Sequence, residues 1–526
     1  MSYFDEINGI KAKDTELRQG IADIKQQVGY DDIYGLEFDF DGNYAVGKRL
    51  CGAKGLYAED FNNISPWKDM KRCNLADDGT VNAYYGDNNY IEDGSNGQVM
   101  VEIPKFYYRF VPITLQAQSW DDYEAVNWVS GTSYAVGKVV IYDSVYYACK
   151  TANSDTEFTP SKWQAITEMG LKGYYIRKGW WFVSPNKHIG FKTHPLFVRP
   201  DGTERAKAYI SAYEGILYDV SESKYLLNDE QVANVTVGTG DKLSSIGGTY
   251  TREYTYYDKA TDTDITVTVT AGAKPASGET TSNNLTRHNY TVLANNRGTG
   301  WQQQTIKVTS AIQLLFAIEY ACFNWQRIIG AGITSIADDG KTNCASFIGS
   351  TSSLGNTSGN AAATIDHTGT SRTTAGTLAT SYRGIENFFG NLWKFVDGMN
   401  IYGAYNNGGG QPYICTDDVF TEDKHADNYE GVGFTAANMQ AYARYFGYGN
   451  EKYDWLFVTS KTGHGANTSL PIGDYTYVTA NLNGHRIACL GGSWNNSASA
   501  GGCYWALNHG SGNQIRSYGC RLAYLG

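Results

Sequence analysis

The chain is short of the features that most quickly assign a function. Charged residues fill only 18% of its 526 positions, and there are just 10 prolines. No Lys/Arg run interrupts a net charge of −11, which excludes the basic footprint of a nucleic-acid binder. Nothing approaches the roughly 18 consecutive apolar residues of a membrane-spanning helix. The opening Met1-Ser2-Tyr3-Phe4-Asp5-Glu6 has neither a basic n-region nor an apolar h-region. The expectation is synthesis in the cytosol without conventional secretion or membrane insertion. Nine cysteines are scattered with no C-x-x-C pair, the pattern of free, buried thiols. Cys489, Cys503 and Cys520 lie close enough in sequence for a disulfide, and that alternative stays open. Low charge would mean disorder if apolar content were also low. With 42% hydrophobic and 14% aromatic residues, the chain can bury large cores instead.

What is abundant is tyrosine, 41 residues, and glycine, 59 residues. Tyr gives contact area at small entropic cost and Gly, Ser and Asn adapt to a partner, so this composition suits a recognition surface.

The first heptads are the cleanest periodicity. Ile7, Ile10, Asp14, Leu17, Ile21, Ile24 and Val28 alternate spacings of three and four, a coiled-coil seam broken once by Asp14. Ile at both seam positions tilts the preference toward a homotrimer, and Gly29 stops the helix. The alternative is one amphipathic helix packed on the next unit. Residues 31–118 then read as β-rich, and Asp39-Phe40-Asp41-Gly42-Asn43 reads as a hairpin turn rather than a calcium loop. Residues 119–168 form a separable all-β module, with Asp143-Ser144 turning between two strands. Residues 169–220 continue the body, and 221–300 is a β-rich insertion whose Thr261–Ala271 stretch alternates like a half-exposed strand. From 301 to 526 the C-terminal unit opens with a predicted helix over 310–329, capped by Ser310-x-x-Gln313 and stopped by Gly330. The Gly/Ser/Thr/Ala-rich stretch 349–380 reads as an irregular loop.

Four resemblances follow from these residues. Trp128, Tyr134-x-x-Gly137, the hairpin ending in Tyr146-Tyr147, and Pro160 followed by Trp163 resemble the small chitin-binding modules of carbohydrate-binding families 5 and 12. That resemblance implies sugar stacking on an exposed aromatic, here Phe158, with Tyr146, Trp128 and Trp163 as companions; a purely structural insert is the alternative. Gly390-Asn391-Leu392-Trp393, Gly491-Gly492-Ser493-Trp494 and Gly519-Cys520-Arg521-Leu522 together resemble the C-type-lectin-like fold of the formylglycine-generating-enzyme superfamily. In it Trp393 and Trp494 act as core anchors. Between these blocks the chain is nearly all small, polar or Tyr, similar to the variable region of retroelement-diversified phage tropism determinants. This implies a receptor-binding face of Asn495, Asn496, Ser497, Ser499, Tyr504, Asn508, His509, Ser511, Asn513, Arg516, Ser517 and Tyr518. Trp505 and Gln514 are not reachable by adenine-directed mutation of Asn codons and are expected to be scaffold. The block also occurs in undiversified tail proteins. Trp67-x-x-Met70-x-x-Cys73, Gly97 to Tyr108 and Tyr209 to Gly215 resemble phage and prophage tail-fibre proteins.

An enzyme is not expected. The Ser-Cys-His…Cys-Tyr-Arg setting of the superfamily's oxidase is missing, since Cys503 sits in Gly-Gly-Cys-Tyr and Cys520 in Gly-Cys-Arg-Leu. No H-E-x-x-H, Gly-x-Ser-x-Gly or P-loop appears. No cofactor or metal is expected. The fold expectation is α+β, a coiled-coil stalk over residues 1–30 followed by a C-type-lectin-like head with the small all-β module inserted. The function expectation is a virion tail-fibre or tail-tip adhesin. Its partners would be a bacterial host receptor, glycan or protein, and other tail or baseplate proteins at the N-terminus. A bacterial surface-displayed variable adhesin and a tail depolymerase are the alternatives.

Overall fold

A computed structural model describes residues 31–42, 46–118, 125–135, 138–165, 173–230, 240–278, 285–364, 371–372, 374–402, 410–420, 427–436, 440–463, 471–478 and 485–526. The predicted seam of Ile7 to Val28 lies outside these residues. The described residues are dominated by β-structure, which corrects the α+β expectation of a stalk and a lectin-like head. Three α-helices occur among them: α1 (Arg287–Asn295), α2 (Ile306–Tyr320) and α3 (Trp325–Ile329). Strands such as Tyr250–Asp258 and Thr263–Ala271 are rich in Tyr, Thr and Val, which favour half-buried strand positions.

A 14-stranded sheet forms the backbone of the molecule. Its path runs from Tyr107–Ala117 through Tyr174–Ser184, Gln440–Tyr448, Tyr475–Val478, Trp505–His509 and His485–Leu490 to Trp393–Tyr402. A six-stranded sheet joins Trp301–Gln303, Leu522–Tyr524, Lys207–Ser211, Gln98–Pro104, Lys71–Leu75 and Val81–Tyr84. The stretch from Gln98 to Phe110 therefore splits between two sheets. Helix α2 lies in the largest core, where Ile312, Leu315, Phe316 and Ile318 meet Trp67, Val99, Val396 and Leu507.

The helix expected over 310–329 differs at both ends. It begins at Ile306, where the Thr305 hydroxyl caps the Val308 amide at 3.3 Å. Ser310 sits inside it and hydrogen-bonds back to the Lys307 carbonyl at 3.2 Å. Ala321 then turns left-handed at φ 51°, and Asn324 caps the separate helix α3. Residues 349–380 carry strands at Gly359–Thr364 and Leu378–Tyr382 rather than only loop. All nine cysteines are free, and only Cys51 is exposed.

The C-terminal motif residues are the stitching of this fold. Trp494 is fully buried and Trp393 nearly so. Between the sheets Glu214 receives the Lys394 ammonium at 2.9 Å and hydrogen bonds from Asn391 and the Leu392 amide. Arg521 donates to the carbonyls of Ser211 and Glu386, and the Glu386 carboxylate accepts from Thr351 and Gly349. Lys394 and Glu214 are buried as an ion pair, while the buried Arg521 and Glu386 are held by hydrogen bonds to neutral groups.

Candidate recognition face

Strands His485–Leu490 and Trp505–His509 pair antiparallel, with Leu490 opposite Trp505 and Cys489 opposite Ala506. The loop between them is held from outside. The Ser497 amide donates to the Thr334 carbonyl at 2.7 Å, and the Gln326 amide group donates to the Ser497 and Ala500 carbonyls at 2.8 and 2.7 Å. Asn496 folds back onto Ser493, accepting from its amide at 2.7 Å and its hydroxyl at 2.9 Å. Asn495 and Ser497 are exposed, and Asn496 and Ser499 half-buried. The hydroxyls of Ser497 and Ser499 have no hydrogen-bond partner among the described residues.

The second lobe follows His509. Asn508, His509, Ser511, Asn513, Arg516 and Ser517 are half-buried along a strand end and turn. Ser517 is tied by its carbonyl to the Trp393 amide at 2.9 Å. Asp338 joins the two lobes, receiving the Asn495 amide at 3.4 Å and the Arg516 guanidinium. Arg516 also donates to the Thr342 carbonyl at 2.8 Å and lies 5.7 Å over the Trp494 ring. Asp338, Asp339 and Cys344 bring ligand-type atoms within 4.8 Å of one another, but Arg516 already faces both carboxylates, as close as 3.5 Å to Asp339. That arrangement is an ion-pair cluster rather than a metal cage.

Tyr504 and Tyr518 are placed differently from the stacking residues that the resemblance implies. Both rings are buried, only 4% exposed, in a cluster with Trp393 and Phe395. Tyr504 meets Trp393 edge-on at 4.5 Å, and Tyr518 stacks on Phe395 at 5.4 Å. The Tyr518 hydroxyl meets His509 Nε2 at 2.5 Å. Burial, aided by Arg486, pushes His509 down to about 4, so at neutral pH the imidazole is uncharged. Trp505 is buried and its indole donates to the Phe457 carbonyl at 2.9 Å.

In the inserted module Asp143 and Ser144 have φ 49° and 63°, the left-handed pair that joins Val139–Tyr142 to Val145–Cys149. Phe158, instead of standing alone on the surface, lies within the module's aromatic cluster. Its ring stacks on Tyr142 at 4.0 Å and runs near-parallel to Trp163 at 5.3 Å, while Trp128 and Tyr147 approach edge-on. Trp163 is buried; Trp128 and Tyr146 are half-buried. The module and the loop face thus hold separate sets of candidate residues.

One grouping escapes sequence reasoning. Asp32, Ser184 and His188 converge, but the same His188 Nε2 lies 3.1 Å from both the Asp32 carboxylate and the Ser184 hydroxyl. A relay needs the two ring nitrogens to serve two partners, so this contact pattern differs from a nucleophilic triad. Sequence reasoning also passed over Tyr442, Tyr475 and Tyr477, which flank Tyr504 on the sheet. The Tyr475-Thr476-Tyr477 alternation was the available signal.

No protein-family model and no curated protein matches the chain. Among solved structures it is similar to "Major Tropism Determinant U1 Variant", at 12% identity and a TM-score of 0.22, over 84% of this chain and 84% of that one. It is similar too to "Major Tropism Determinant P3c Variant", at 10% identity and a TM-score of 0.21, over 78% of this chain and 99% of that one.

Proposed function

We propose that the chain is a phage receptor-binding protein, an adhesin of the tail fibre or tail tip that engages a receptor on the bacterial surface. Recognition is assigned to the face built from loop 493–500 and segment 508–517. The observation that carries this reading is how the first loop is gripped. Thr334 and Gln326 hold its main chain, while the Ser497 and Ser499 hydroxyls have no hydrogen-bond partner among the described residues. A frame that fixes the backbone and leaves these serine hydroxyls uncommitted lets recognition change without refolding, as binding loops on rigid scaffolds require. The Asn, Ser, Gly and His content of the face supplies adaptable hydrogen bonding. Several copies per virion would multiply a modest site into firm attachment.

The reading is of a binder rather than a catalyst. Burial pushes the Cys503 and Cys520 thiols far up, the reverse of what a nucleophilic cysteine needs. The test is adsorption. Purified chain added before phage is expected to block attachment to host cells, and Ser497→Glu and Asn513→Arg are each expected to weaken blocking at least tenfold with unchanged thermal stability. Variants that block as well as the parent chain would remove this face from consideration.

A further inference from the structure

Beside the loop face, three neighbouring strands bring tyrosines together. Tyr442 on Gln440–Tyr448 lies opposite Tyr475, and Tyr477 is in register with Ala506 on Trp505–His509. Strand alternation sends Tyr475 and Tyr477 to one side of the sheet and the buried Thr476 and Val478 to the other. The rings then run in a row. Tyr442 meets Tyr475 edge-on at 5.2 Å, Tyr475 meets Tyr504 at 5.7 Å, and Tyr504 rests on Trp393. Tyr442, Tyr475 and Tyr477 are half-buried, with Tyr504 beneath them.

One further observation points to a ligand. None of the four phenol hydroxyls has a hydrogen-bond partner among the described residues. These hydroxyls are not among the polar atoms sealed in the core, so the row presents them to an outside partner. Aromatic surface gives apolar contact to the C–H faces of sugar rings, while phenol groups meet sugar hydroxyls. None of the four side chains carries a charge at neutral pH, so a charged ligand would find no counter-ion among them.

We propose that Tyr442, Tyr475 and Tyr477, floored by Tyr504, form a subsite for a neutral glycan of the bacterial surface. This rests on the adhesin reading and gives its receptor a chemical class. The test uses the full chain and bacterial cells that it binds, treated either with periodate, which cleaves sugar diols, or with protease. Periodate is expected to abolish binding and protease to spare it. Tyr475→Ala and Tyr477→Ala are each expected to weaken binding at least tenfold, with Tyr475→Phe keeping the ring, folding like the parent chain and losing less. Binding that survives periodate but not protease, or that is indifferent to both alanine variants, overturns the glycan subsite and leaves the adhesin standing. A parent chain that binds no cells overturns both.

Discussion

Asp474 carries a carboxyl into the core with a single hydrogen bond, from the Cys503 amide at 2.7 Å, and its other oxygen has no partner. Burial therefore pushes its pKa well above the ordinary carboxylate range. A carboxyl raised on folding stabilises the fold while protonated, and that stability is lost as pH rises through the folded value. The variant Asp474→Asn keeps the acceptor for Cys503 and cannot ionise. It is expected to be more stable than the parent chain at pH 8, by about 1–3 kcal/mol, and to show a flatter stability profile between pH 5 and pH 8. Denaturant melts across that range read the difference, and an unchanged slope would show that Asp474 is not the group responsible.

Glycines divide the recognition face into a fixed and a permissive element. A Cβ on Gly501 would meet Asp474 at 2.0 Å, and one on Gly502 would lie 2.3 Å from the Trp325 ring. That ring cannot yield, because Phe316 stacks on it at 3.7 Å and Phe388 at 4.8 Å. Gly510 and Gly512 face open space, with nothing within 4 Å. The Gly502→Ala variant is expected to cost about 3 kcal/mol, while Gly510→Ala and Gly512→Ala stay within about 0.5 kcal/mol. Equal melting temperatures for all three would contradict the division.

Much of the element level was legible. Asp143-Ser144 announced its hairpin because a two-residue loop demands left-handed backbone, and Trp393 and Trp494 stood out as core because so few residues fill that volume. Legibility failed where the signal depended on distant partners. Thr305 competes with Ser310 as a cap, and only packing chooses between them. Gly359–Thr364 is Gly, Asn, Ala and Thr, without the apolar alternation by which a strand is read. Tyr504 stands out in the sequence as a candidate, but its neighbours Tyr442 and Tyr475 lie on other strands, a pairing no local pattern encodes.

At the scale of the whole molecule, the small module hangs from a sheet that closes without it. Ala117 pairs with Tyr174, and the Gln118 amide donates to the Gly173 carbonyl at 3.2 Å, so its two attachment points meet. It also has a core of its own in Tyr134, Val140, Cys149 and Trp163. Replacing residues 119–172 by an Asn-Gly turn is expected to leave the melting temperature of the body within about 3 °C, since no core residue of the body is removed. A drop beyond about 10 °C would mean that the module supports the body. Cell binding measured on the same protein shows whether the module adds to attachment.

The six-stranded sheet sets a timetable for synthesis. Tyr209 pairs with Tyr524, more than 300 residues later in the chain. At about 5–20 residues per second, the edge of Lys207–Ser211 waits roughly 15–60 s on the ribosome before its neighbour exists. A bare edge is a template for pairing with the wrong chain. Expression at low temperature with abundant chaperone should therefore raise soluble yield more than any single stabilising substitution, because the hazard precedes the fold.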